Sequence, residues 1–321
     1  MKVTNDMMHP EIRSIGKVIR GGGIRFKNEN SFFRVQKLLN ATRDILRPKD
    51  LQWKNYTTLS SHNEQLRFAV AKSKQPESNV VGLLWIHGGG YGVGTPEQDS
   101  PFVRKLINAT NCVAVLPDYR LSIDEPYPAA LEDCYDTLIW MKEHAKELGI
   151  RTDQIFVGGD SAGGGLAAAV TLLARDRGEV NIAFQMPLFP MLDDRMITSS
   201  SQNNDAPVWD SQANRVAWQM YLGKNHQSKD ISSYAAPART TNYQNLPPTY
   251  TFVGDIEPFY DETRIYIKNL QKAGVKASMD VYPGCFHGFD QLIHTKVAQE
   301  ANVNYIAQFI FASRYYFAPQ R

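Results

Sequence analysis

The sequence predicts an α/β protein built on a mostly parallel sheet with helices on both faces. Three observations carry this. Strand and helix patterns alternate from about residue 80 to the end. The runs 80–86 (VVGLLWI), 112–116 (CVAVL) and 154–158 (QIFVG) are almost uninterrupted apolar sequence, as strands covered on both faces must be. Between the last two lies an amphipathic helix: Leu131, Cys134, Leu138, Met141, Ala145 and Leu148 step by three and four, and Gly149 ends it.

The elements follow in order. Phe32, Val35, Leu39, Thr42 and Leu46 give a helix over 31–46, with Asn30 or Ser31 to cap it and Pro48 to close it. The triple glycine Gly21–Gly23 before it reads as a mobile turn. Residues 51–59 and 65–71 read as a pair of strands, the second alternating through Leu66, Phe68 and Val70. After the three core strands, residues 162–174 are apolar nearly all round and form a buried helix. Further strands fit 182–189, 249–253 and 277–282, and helices fit 261–273 and 296–313. The alternation breaks over 191–246, where Trp209, Trp218, Met220 and Tyr221 stand amid polar residues. An insertion of that length is read as a cap. The expected organisation is N-terminal cap helices over 1–50, a catalytic domain of 51–190 with 247–321, and a cap insertion over 191–246.

Composition narrows the class. With 321 residues, 43% apolar and 21% charged, the chain suits one large globular domain or two small ones. Lys plus Arg is 35 and Asp plus Glu 33, a net charge of +2, which gives no electrostatic case for nucleic acid. Cys112, Cys134 and Cys285 are odd in number and widely spaced, which argues against a disulfide framework or a structural zinc site. The start lacks the apolar core of a signal peptide, and no stretch approaches a membrane span, so no stable membrane anchor and a cytoplasmic location are expected. No P-loop, HExxH or dinucleotide fingerprint is present, so neither cofactor nor metal is expected.

Two motifs carry the chemistry. Gly159-Asp160-Ser161-Ala162-Gly163 follows an apolar strand and opens an apolar helix, the context in which G-x-S-x-G presents a serine nucleophile on a sharp turn. The helix behind Ser161 aims its N-terminal amides at the place where oxyanion charge develops. His87-Gly88-Gly89-Gly90 follows the strand 80–86 and is an oxyanion loop of the HGGG type. Gly88 and Gly89 are taken as amide donors, with Ala162 as the third, and His87 as the residue that pins the loop.

With these motifs the chain resembles the hormone-sensitive-lipase family of α/β-hydrolases, the bacterial family IV esterases. The resemblance runs from His9-Pro10 to the C-terminal helix. It takes in His87 to Tyr91, Asp118-Tyr119-Arg120-Leu121, Tyr127 to Asp133, Gly159 to Gly164 and His287-Gly288-Phe289. It implies an α/β-hydrolase fold with a sheet of about eight strands under a helical cap. It also implies hydrolysis of short- to medium-chain carboxylic esters without a cofactor, and a homodimer paired through the last strand and helix.

The base must follow the serine, in the order serine, acid, histidine, and His287 and His294 are the candidates. His287 matches the family's His-Gly-Phe. The acid departs from the family pattern, which places an aspartate before proline. Here Glu257 precedes Pro258 and aligns with it; Asp255 is the rival, and Asp261 a weaker one. Cys285 is read as a buried cysteine, and Asp118, Tyr119 and Arg120 as framework beneath the site. Tyr91, Trp209, Trp218 and Tyr221, with Phe32 and Phe33, are candidates for the substrate pocket. The sequence thus points to a serine carboxylesterase acting on a small-molecule ester through Ser161, His287 and Glu257. Amide or peptide hydrolysis on the same triad, and a non-catalytic receptor on the same fold, are the alternatives.

Overall fold

The computed structural model describes residues 1–23, 25–226 and 228–320. Among these the sheet has eight strands: β1 (Leu51–Leu59), β2 (Gln65–Ser73), β3 (Val80–Ile86), β4 (Val113–Pro117), β5 (Ile150–Asp160), β6 (Phe184–Leu188), β7 (Thr249–Gly254) and β8 (Ala277–Tyr282). Their order is β1-β2-β4-β3-β5-β6-β7-β8. The pairs β1–β2 and β2–β4 are antiparallel and the rest parallel. The helices are α1 (Pro10–Gly22), α2 (Glu29–Thr42), α3 (Ser100–Thr110), α4 (Ala129–Glu143), α5 (Ala145–Leu148), α6 (Ser161–Arg177), α7 (Ser211–Leu222), α8 (Tyr260–Lys272) and α9 (Lys296–Tyr315).

The apolar runs are explained by the two faces they cover. Leu84, Ile86, Val113, Val115 and Val157 turn to one face and pack with Leu138 of α4 and Leu166 of α6. Leu83, Trp85, Ala114, Leu116 and Phe156 turn to the other and pack with Phe102 and Leu106 of α3 and Tyr305 and Phe309 of α9. Alternate residues of one strand serve opposite faces, so a strand buried on both is apolar at nearly every position.

Four differences from the sequence reading have local causes. The helix expected over 131–148 breaks at His144, whose Nδ1 bonds the Trp140 carbonyl at 2.9 Å while its ring stacks on Trp140, which competes with helix propagation. The N-cap of α2 is Asn28, which accepts from the Ser31 amide at 3.1 Å, and residues 43–46 continue as a 3-10 turn. Gly21 and Gly22 close α1 rather than forming a turn of their own. The helix α3 has no counterpart in the sequence reading.

Residues 205–222 and the N-terminal segment meet over the loop after β3. Trp209 lies against Phe26 and Phe32, and Trp218 and Tyr221 against Tyr91. Asp210 caps α7 by accepting from the Ala213 amide at 2.8 Å. No described helix is long and apolar enough to cross a membrane.

Candidate active site

Ser161 stands where β5 turns into α6, with a backbone φ of +54°. That left-handed conformation is costly for a residue with a Cβ and is held here by the surrounding packing. The turn is tight because its flanks touch β3: a Cβ on Gly159 would lie 2.4 Å from the Ile86 carbonyl oxygen, and one on Gly163 would lie 2.0 Å from the same atom. No other residue fits either position without moving the strand.

The loops after β7 and β8 bring two more side chains to this turn. His287 Nε2 is 2.9 Å from Ser161 Oγ, and His287 Nδ1 bonds Glu257 Oε2. Glu257 Oε1 accepts the Gly254 N–H at 3.2 Å. Ser161 is 5%, His287 6% and Glu257 1% exposed, so the line of hydrogen bonds is shielded from bulk water. Phe189 and Phe259 meet the imidazole edge-on, with ring centroids 5.0 and 5.1 Å away, and fix its plane.

The rival carboxylates are engaged elsewhere. Asp255 Oδ1 accepts the Gly284 N–H at 2.6 Å, and Asp261 Oδ2 accepts the Ser200 N–H at 2.9 Å. His294 is exposed on the surface. Cys285 is buried, and burial raises its thiol well above the ordinary range. Both ring nitrogens of His287 are already occupied, so nothing pairs it with Cys285.

The loop after β3 requires a correction. Gly88, expected to offer its amide to a substrate, donates it to Asp160 Oδ1 at 2.9 Å. A donor spent on a carboxyl group is not available to an oxyanion. Among the described residues the Gly89 and Gly90 amides donate to no protein atom, and the Ala162 amide lies in the first turn of α6, which leaves its N–H groups free. The loop is pinned as expected at His87: burial lowers its pKa, and the neutral ring donates from Nδ1 to the Gly88 carbonyl at 2.9 Å. Tyr119 stacks on this ring at 4.2 Å and donates to the His87 carbonyl at 2.9 Å. Asp118 holds Arg43 at 2.8 Å, and Arg120 pairs with Asp133 at 2.9 Å, both framework contacts.

Of the four aromatics singled out for a pocket, Trp209 reaches the imidazole, with ring centroids 6.3 Å apart. Tyr91, Trp218 and Tyr221 pack on one another, and Tyr91 donates to the Met191 carbonyl at 3.0 Å. Phe189, Phe259 and the Gly90 amide were missed by sequence reasoning. Only the glycine had a signal, as the third residue of its run. No group of three or more His, Cys, Asp or Glu among the described residues is placed to hold a metal ion.

A family model described as alpha/beta hydrolase fold matches residues 83–291. Esterase LipI of Mycobacterium tuberculosis is 34% identical over 216 residues, 67% of each chain. An arylesterase of Saccharolobus solfataricus is 30% identical over 289 residues, 88% of this chain and 92% of its own. The solved structure of a bacterial heroin esterase superposes with a TM-score of 0.88 at 30% identity, covering 97% of this chain and all of that one. Strand order, the serine turn and these relatives together establish that the chain belongs to the α/β-hydrolase fold family, in its hormone-sensitive-lipase-like branch.

Proposed function

We propose that this protein is a serine carboxylesterase that hydrolyses short- to medium-chain esters through a covalent acyl-enzyme. The observation that carries the reading is the unbroken hydrogen-bond line Ser161–His287–Glu257 ending beside three free amides. The relatives are named esterases, carboxylesterases and arylesterases, which supports the same class of bond.

The residues divide the work as follows. With Nδ1–H donated to Glu257, His287 presents the lone pair of Nε2 to Ser161 and takes its proton as Oγ attacks the ester carbonyl. The imidazolium is stabilised by the buried carboxylate next to it. The negative oxygen of the tetrahedral intermediate is taken up by the amides of Gly89, Gly90 and Ala162, already oriented before reaction. His287 returns its proton to the leaving alcohol, and water repeats the sequence on the acyl-enzyme. Residues 1–50 and 191–246 act as the cap over this site, with Trp209 as the wall nearest the reacting atoms, and 51–190 with 247–321 act as the catalytic domain.

The test is release of nitrophenol from nitrophenyl esters of graded acyl length by the wild type and Ser161→Ala. Hydrolysis strongest on short acyl chains and abolished in the variant is expected. A variant that keeps more than a trace of the activity would overturn the assignment of Ser161.

A further inference from the structure

Behind the loop that carries the free amides stand two acids, Asp160 and Asp99. Asp160, the residue before Ser161, accepts the Gly88 N–H on Oδ1 at 2.9 Å. Asp99 is 4% exposed, and its Oδ2 accepts the Trp85 indole N–H at 2.9 Å. Titratable groups facing Asp160 include Asp99, His287, His87, Tyr119 and the buried Asp290. Burial first, and then Asp99, pushes the Asp160 carboxyl well above the ordinary range.

Asp160 closes a clamp on one peptide unit. The Gly88 carbonyl is held by Gln98 Nε2 at 3.1 Å and by His87 Nδ1 at 2.9 Å, while its N–H is held by Asp160. With Gly88 fixed at both ends, the next two amides of the loop remain unpaired.

We propose that Asp160 is a positioning residue, whose carboxyl oxygen holds the Gly88 N–H so that the Gly89 and Gly90 amides stay aimed at the substrate oxygen. This rests on the reading of Ser161 as nucleophile.

The test compares Asp160→Ala with Asp160→Asn on one short-chain nitrophenyl ester. Alanine removes the acceptor from Gly88. Asparagine keeps an acceptor oxygen for Gly88. The alanine variant should lose about 10² in kcat with KM within about threefold, the signature of a lost oxyanion contact. The asparagine variant should recover at least tenfold of that loss. If Asp160→Ala does not fold, Asp160→Ser, too short to reach Gly88, takes its place.

Equal impairment of the alanine and asparagine variants would overturn the clamp, because an acceptor oxygen on Gly88 would then not suffice to hold the loop. Near-normal kcat in both would overturn the clamp, and so would a loss confined to KM. Ser161→Ala in the same assay separates this from the functional reading: retained activity there would remove the nucleophile, whatever the Asp160 variants do.

Discussion

Replacing Glu257 by Gln isolates what the carboxylate does for His287. The glutamate satisfies two donors at once, the His287 Nδ1–H on Oε2 and the Gly254 N–H on Oε1. Glutamine has one acceptor oxygen. With that oxygen on Gly254, the NH2 faces Nδ1 and selects the tautomer protonated on Nε2, which cannot take the Ser161 proton. With the oxygen turned to His287, the NH2 meets the Gly254 N–H, and a buried donor is left unpaired at about 1–3 kcal/mol. The first orientation therefore prevails, and the imidazolium loses its neighbouring charge as well. In serine proteases the corresponding amide substitution lowers turnover by about 10⁴, which is about 5.4 kcal/mol at about 1.36 kcal/mol per decade. Asp255→Asn is the contrast. Asparagine can still accept the Gly284 N–H that Asp255 holds, so turnover should stay within about threefold. The assay is kcat on one short-chain ester for the two variants, with circular dichroism to confirm folding. A crippled Asp255→Asn beside a near-normal Glu257→Gln would refute the assignment of the acid.

Two further outcomes follow from the geometry. Gly90 has φ +59°, and a Cβ there would stand 2.4 Å from Trp209 Cη2, so Gly90→Ala should displace an oxyanion amide and lower kcat by about 10²–10³. Trp209→Phe in the same chain should restore part of that by withdrawing the ring edge; strictly additive effects in the double variant would refute the clash. Asp290 is buried with Oδ1 unpartnered, and burial, then Asp160, raises its carboxyl to about 7. Its folded pKa lies above the unfolded value, so its contribution to stability is full below about pH 4 and is lost as pH rises through 7. Unfolding free energy by urea should therefore fall between pH 5 and 8 by up to about 3 kcal/mol more in the wild type than in Asp290→Asn; parallel curves would show that Asp290 does not carry the effect.

The sheet was legible wherever burial on both faces left a strand no choice of residue. The runs at 80–86 and 154–158 fall within β3 and β5, and 277–282 coincides with β8. The helices that escaped did so for local reasons. The helix α1 carries Gly16 inside it, where a Cβ would meet Met8 Sδ at 2.5 Å, so a contact made in the fold erases the helical signal. In α7 the wholly buried Asn214 interrupts the apolar stripe that would have marked it. At the site, G-x-S-x-G and the His-Gly-Phe match located Ser161 and His287. The choice between Glu257 and Asp255 was harder, because two carboxylates two residues apart differ only in where the loop turns them. Gly88 was misread as a free donor, because nothing in the sequence around it reveals that Asp160, 72 residues on, takes its N–H.

The seam between β6 and β7 aligns only Gln185 with Thr249, whereas β5–β6 aligns five residue pairs and β7–β8 six. Ser161 stands on one side of that seam, and Glu257 and His287 on the other. A slip of one half of the sheet past the other, too small to melt any strand, separates Oγ from Nε2. Turnover is then the most sensitive gauge of whether the halves are stitched together. In mild denaturant it should fade while the helical ellipticity is still intact.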